Sequence, residues 1–197
     1  SFPTRRSSDL ISVDGDTSTN DSCIVLANGL AGNAEITEQG ADYQAFTETL
    51  MTLCTELARK MAADGEGAKH LITCAVTGAA DEKTAETVAR SVISSTLTKA
   101  AIFGADANWG RVLCAMGYSG AEFDPETVDV SFASAAGDIA VCEKGRGLPF
   151  DETKAKKILT EHDVEIRISM GTGAGTATCW GCDITYDYIK INGDYRT

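Results

Sequence analysis

Between Val164 and Met170 the chain alternates without a break. Val164, Ile166, Ile168 and Met170 are apolar, and Glu165, Arg167 and Ser169 stand between them. Side chains of a strand point to its two faces in turn, so this run predicts a strand buried on one side only. A fold that accepts it must contain a sheet and must cover one face of it. Material for the cover lies upstream. From Ala41 to about Asp64 the apolar residues Tyr43, Phe46, Leu50, Leu53, Cys54, Leu57 and Met61 recur in steps of three and four, which predicts a long amphipathic helix ended by Gly65. Asp81, Asn108 and Asp151 can each cap a further helix. Strands are expected at Leu71 to Thr77, Thr98 to Phe103, Val128 to Phe132, Ile139 to Cys142 and Gly175 to Thr185. The end, Tyr186 to Ile191, is ambiguous between helix and strand. This order of elements predicts an α/β (α+β) protein, with layered sheets flanked by helices.

Composition removes several function classes. The net charge of −12 argues against a nucleic-acid partner, which needs a basic stripe. No run approaches the length of a membrane span, and the start carries no apolar signal region. Seven scattered cysteines form no secreted disulfide framework, so a reducing compartment, the cytoplasm, is expected. Residues 1–10, S-F-P-T-R-R-S-S-D-L, show no periodicity and resemble a translated sequencing adapter. They are set aside from the fold, which implies a chain lacking its natural start. Residues 11–120 and 121–197 are expected to form two parts, with a change near Gly120 to Val128.

Several short stretches could carry chemistry. V-D-G-D-T-S-T-N-D, Val13 to Asp21, fails as a calcium loop because Thr19 and Val25 replace the required Gly and Glu. It could serve a D-x-D phosphatase, with Asp14 as nucleophile and Asp16 as acid, or form a turn whose side chains bond their own backbone. D-G-E-G-A, Asp64 to Ala68, sets Glu66 between glycines that permit a sharp bend and a close ligand. A carboxylate there could pair with a substrate ammonium, or simply sit exposed in a helix-terminal turn. A-N-W-G-R, Ala107 to Arg111, reads equally as a capped helix start and as a functional motif. C-W-G-C, Cys179 to Cys182, has redox spacing but lies in a strand-like stretch, and one such pair cannot complete a zinc site. G-T-G-A-G, Gly171 to Gly175, lacks the spacing of a dinucleotide loop. His162 reads as a surface histidine.

Taken together and in order, V-D-G-D-T-S-T-N-D, D-G-E-G-A, I-F-G-A-D-A-N-W-G-R from Ile102 and W-G-C-D-I-T-Y-D-Y-I-K-I-N-G-D-Y-R-T from Trp180 resemble the β chain of the bifunctional glutamate N-acetyltransferase/ornithine acetyltransferase (ArgJ) family of arginine biosynthesis. The resemblance runs from Ile11 to Thr197. It implies a DmpA/ArgJ-like fold and a precursor that cleaves itself before a threonine. The resulting α and β chains assemble as an α2β2 heterotetramer. The new N-terminal threonine is the nucleophile, with its own amine as base. Acetyl passes from N-acetylornithine to that hydroxyl and then to glutamate. No cofactor is implied, although some members also take acetyl-CoA as donor.

The nucleophile segment, resembling P-N-M-A-T, has no counterpart here, so no catalytic residue is assigned. The oxyanion groups belong to the α chain and are also absent. Three substrate-binding residues carry over: Glu66 from D-G-E-G-A, and Asn192 and Thr197 from the terminal K-I-N-x-D-Y-R-T. Gly193, Cys179 and the pair Lys69-His70 depart from the usual pattern without touching those three. The chain alone is therefore expected to be inactive. The competing classes are the Asp14/Asp16 phosphatase and a noncatalytic small-molecule-binding domain.

Overall fold

The structure, a computed structural model, describes residues 10–17 and 22–195. Of the adapter-like residues 1–10 all but Leu10 fall outside them, as do residues 18–21 of the V-D-G-D-T-S-T-N-D block, and Thr197. The strands are β1 (Ile11–Ser12), β2 (Leu71–Ala79), β3 (Asp129–Ser134), β4 (Gly137–Glu143), β5 (Arg146–Gly147), β6 (Asp163–Ser169) and β7 (Gly175–Cys182). The helices are α1 (Ala41–Ala63), α2 (Glu82–Ser94), α3 (Thr96–Phe103), α4 (Trp109–Gly117), α5 (Glu152–Leu159) and α6 (Tyr186–Asp194). The strands form one mixed sheet in the order β1-β7-β2-β6-β3-β4-β5. β1 runs parallel to β7 and β2 parallel to β6, while the other neighbours are antiparallel. The sheet crosses the 120/121 division, because β2 pairs with both β6 and β7.

The alternating run forms β6 and behaves as its pattern requires. Val164, Ile166 and Ile168 are buried, and Arg167 between them is exposed. Their neighbours Ile72, Cys74 and Val76 of β2 and Val130 and Phe132 of β3 join them in one core with Val88, Val92, Met116, Ile158 and Leu159 from the helices. Fully burying each such large side chain contributes roughly 1.5–3 kcal/mol. The polar sides of the same strands, Thr77, Ser131, Glu165 and Arg167, line an open trough of about 520 Å³. The sheet is thus covered on one face and wet on the other over this region, as antiparallel and mixed sheets permit.

Three helix caps fall where expected. Asp81 accepts from Thr84 N–H, Asn108 from Arg111 N–H, and Asp151 from Thr153 and Lys154 N–H. The Thr98 to Phe103 strand is a correction: the segment is helical, α3. The hydroxyl of Ser95 accepts the Thr98 N–H at 3.2 Å and starts the helix. Apolar and β-branched residues in a run of six fit a short strand as well as a helix buried on most sides. The cap decides between them. Thr185 likewise resolves the ambiguous C-terminus as a helix, its hydroxyl accepting from Tyr188 N–H at 3.1 Å.

Helix α1 has the expected extent, but only Ala58 and Ala62 along it are buried. Tyr43, Phe46, Leu53, Leu57 and Met61 are 41–59% exposed. The apolar stripe read from the sequence is therefore present, with Leu50 and Cys54 half-buried and the other five residues left exposed by this chain. Ile24, Val25, Leu26 and Leu30 before it are exposed as well. No helix of the described residues is long and apolar enough to cross a membrane.

Candidate functional site

The D-G-E-G-A turn lies between α1 and β2, and the fold brings it against the end of β7 and the start of α6. The glycines make this approach possible. A Cβ at Gly65 would lie 2.6 Å from Cys182 Sγ, and one at Gly67 would lie 2.6 Å from the Tyr188 backbone nitrogen. Gly67 also has φ +66°, the left-handed region that glycine adopts without cost. The Thr185 hydroxyl donates to Gly67 O at 2.7 Å while it caps α6.

Asp183, directly after β7, fixes the other side of the turn. Its Oδ1 accepts from Lys69 N–H at 2.8 Å and from His70 N–H at 3.0 Å, and its Oδ2 meets His70 Nδ1 at 2.7 Å. Burial alone would raise this carboxyl. The His70 ring and the two backbone donors outweigh it and hold Asp183 below the usual carboxylate value.

Glu66, flanked by these anchors, is exposed at the surface. Its Oε2 accepts from Asn192 Nδ2 at 2.8 Å, and the same amide also donates to Tyr188 O at 3.2 Å. Two of the three residues carried over from the sequence thus meet, 126 positions apart. Thr197 lies outside the described residues. Glu66 Oε1 and Asn192 Oδ1 take no part in these two bonds, and they are an anionic and a neutral acceptor on neighbouring side chains. Together they can orient an ammonium group at the scale of an amino acid.

The V-D-G-D segment follows β1 and reaches the same corner. Asp14 Oδ1 accepts from Asp16 N–H at 2.9 Å, which is the local turn, and its Oδ2 accepts from the Tyr188 hydroxyl at 3.0 Å. Burial first, then the bond to Asp14 and the charges of Asp14, Asp16 and Glu66, push the Tyr188 phenol up to about 12. Beneath lies Lys99, fully buried, with Nζ 3.2 Å from Ser12 O and 2.6 Å from Cys182 O. Its burial lowers its pKa, while the charges of Cys182, Asp183 and Asp14 act the other way.

The remaining motifs lie in regular elements and the turns between them. C-W-G-C lies in β7 rather than at a helix start, with Cys179 and Cys182 buried and unbridged. Burial pushes Cys179 up to about 12 and also raises Cys182, the reverse of a redox thiol. A-N-W-G-R is the capped start of α4 with Trp109 half-buried, and G-T-G-A-G turns the chain from β6 into β7. His162 is exposed beside Asp163. The phosphatase reading is not supported: Asp14 is held by Tyr188 and by its own turn, and no metal-holding group of three His, Cys, Asp or Glu occurs among the described residues.

The residues missed from the sequence are Tyr188, Lys99, His70 and Asp183. A lysine inside T-L-T-K-A-A-I-F was the available signal for Lys99. The others act through contacts 113 or more residues away, which no local pattern records.

Fold and site define a mixed-sheet α/β protein with a surface carboxylate–amide pair built by a glycine-flanked turn and a C-terminal helix. The sequence profile of the ArgJ family matches residues 3–197. The Arginine biosynthesis bifunctional protein ArgJ 1 of Clostridium acetobutylicum is 51% identical over 188 residues, which is 95% of this chain and 46% of that protein. The Arginine biosynthesis bifunctional protein ArgJ of Thermotoga neapolitana is 52% identical over 188 residues, covering 95% and 47%. The crystal structure of Arginine biosynthesis bifunctional protein argJ from Bacillus halodurans matches with a TM-score of 0.90 and 44% identity, covering 98% of this chain and 89% of the crystallised one. The chain belongs to the ArgJ family. It spans about half the length of the curated relatives it matches.

Proposed function

We propose that this chain is the β-chain part of a bifunctional glutamate N-acetyltransferase/ornithine acetyltransferase, with Glu66 and Asn192 binding substrate. The observation that carries the reading is the 2.8 Å contact between these two side chains. N-Acetylornithine, ornithine and glutamate all carry ammonium or carboxylate groups, and the exposed Glu66 carboxylate suits an ammonium. Thr197 would complete the set from the chain end.

The chemistry needs a nucleophile from outside this chain. An N-terminal threonine hydroxyl attacks the acetyl carbonyl of N-acetylornithine while its own amine takes the proton. Collapse of the tetrahedral intermediate returns that proton to the departing ornithine nitrogen and leaves an acetyl-threonine ester. The glutamate amine then attacks the ester, giving N-acetylglutamate and the free threonine. Acetyl-CoA can load the same ester without a resident cofactor. Oxyanion stabilisation comes from the α chain.

Two observations support a partner chain made from the same precursor by self-cleavage. This chain covers 89% of the crystallised argJ chain but only 46–47% of the curated relatives, so that crystallised chain is itself close to half-length. The mostly exposed α1 stripe offers the partner an apolar surface. The assembly is an α2β2 heterotetramer working in the cytoplasm. The test is transfer from N-acetylornithine to glutamate by this chain completed with its N-terminal half. Glu66→Ala should raise KM about tenfold, the loss of a charge-assisted bond of about 1.4 kcal/mol. Unchanged kinetics would reduce Glu66 to a turn residue.

A further inference from the structure

We propose that Asp14 is a positioning residue for the Glu66–Asn192 pair, acting through the hydroxyl of Tyr188. The inference rests on the reading of that pair as substrate-binding. Helix α6 spans nine residues, and none of them is buried. Such a helix is not held by core packing, and an isolated helix of that length is marginal. Its orientation must come from discrete ties.

Those ties are few. Thr185 holds the first turn to Gly67 O. Tyr186 packs edge-on against Phe103, with ring centroids 5.4 Å apart. Lys69 and Asp187 form an exposed ion pair at 3.6 Å, a contact of little strength in water. All three fix the N-terminal end. Asn192 lies a turn or more further on. The link that reaches its turn is Tyr188, four residues before it: the Tyr188 carbonyl accepts from Asn192 Nδ2 at 3.2 Å, and the Tyr188 phenol donates to Asp14 Oδ2 at 3.0 Å.

Asp14 is a firm anchor because the strand before it is fixed from beneath. β1 pairs with β7 at Ile11↔Trp180 and Ser12↔Gly181, and the buried Lys99 ammonium ties Ser12 O to Cys182 O. A line of contacts therefore runs from the buried Lys99 Nζ through β1 and Asp14 to Tyr188, Asn192 and Glu66. The phenol stays protonated throughout the physiological range and so remains a donor. This gives the V-D-G-D block a role that local turn formation alone does not.

The test uses this chain completed by its N-terminal half, with transfer kinetics and thermal midpoint measured together. Tyr188→Phe keeps the ring and removes the donor. It should raise KM for the amino-acid substrates about 3- to 10-fold, leave kcat within about twofold, and leave the midpoint unchanged within a few degrees. Asp14→Ala should match it, and Asp14→Asn, whose amide oxygen still accepts from the phenol, should recover most of the loss. In an Asn192→Ala background Tyr188→Phe should add nothing, because its effect passes through Asn192. A full additional penalty in that background, or Asp14→Asn as impaired as Asp14→Ala, overturns the proposal. A normal Tyr188→Phe beside a defective Glu66→Ala sinks the positioning role alone. A normal Glu66→Ala sinks the substrate reading, and the positioning role with it.

Discussion

Helices α1 and α2 both carry a regular apolar stripe, yet they end in opposite environments. α2 buries Ala85, Val88, Ala89, Val92 and Ile93, each at 1% exposure or less, against β2, β7 and α4. α1 buries the small residues Ala58 and Ala62, half-buries Leu50, and leaves Tyr43, Phe46, Leu53, Leu57 and Met61 in water. Periodicity alone does not separate these cases, because it shows that a face must be covered and not which chain covers it. The core around α2 is closed by this chain's own strands and helices, whereas most of the large apolar residues of α1 are left exposed by them. The candidate site lies between the two regions, since its turn leaves α1 and its anchors Asp183 and Thr185 directly follow β7.

The contrast can be broken or sharpened by substitution. Phe132 is 1% exposed in the shared core, and Phe132→Ala should destabilise the chain by about 3–5 kcal/mol in denaturant unfolding. Gly67→Ala adds a Cβ at a left-handed backbone position against α6, and should cost about 2–3 kcal/mol. Its damage should appear as faster amide exchange in α6 while the core strands stay protected. Phe46→Ala, on the exposed stripe, should cost under about 1 kcal/mol in the isolated chain and weaken association with the N-terminal half. A Phe46→Ala loss as large as that of Phe132→Ala would mean that α1 belongs to the core after all.

A smaller effect concerns pH. The folded Asp183 carboxyl sits below its unfolded value of about 3.9, so its contribution is fully present above that pH. It is lost as pH falls through the lower folded value. Asp183→Asn should lower stability at neutral pH and flatten its fall on acidification below about pH 4. A parallel shift of the whole curve would exclude this linkage.

Much of the fold was legible because its signals are local. The alternation at 164–170 spans seven residues, and the caps Asp81, Asn108 and Asp151 each act within three. The α3 segment misled because Thr98 to Phe103 is short and apolar on most sides, and the deciding Ser95 cap lies just outside the run. At the site, the chemical type of Glu66 and Asn192 came from the family resemblance, and their meeting came from the structure. Lys99, Asp183 and Tyr188 stayed hidden because their bonds span 83 to 174 residues. In the V-D-G-D segment the local Asp14–Asp16 bond fits the turn alternative, whereas the second Asp14 bond, to Tyr188, lies 174 residues away and leaves no mark on neighbouring residues.

The most direct test of the central claim is the transacetylation assay run twice on the same preparation, first with this chain alone and then after its N-terminal half is supplied. The first run should form no N-acetylglutamate from N-acetylornithine, and the second should show steady turnover. Turnover by this chain alone would contradict that claim, because the nucleophile would then have to lie within these 197 residues.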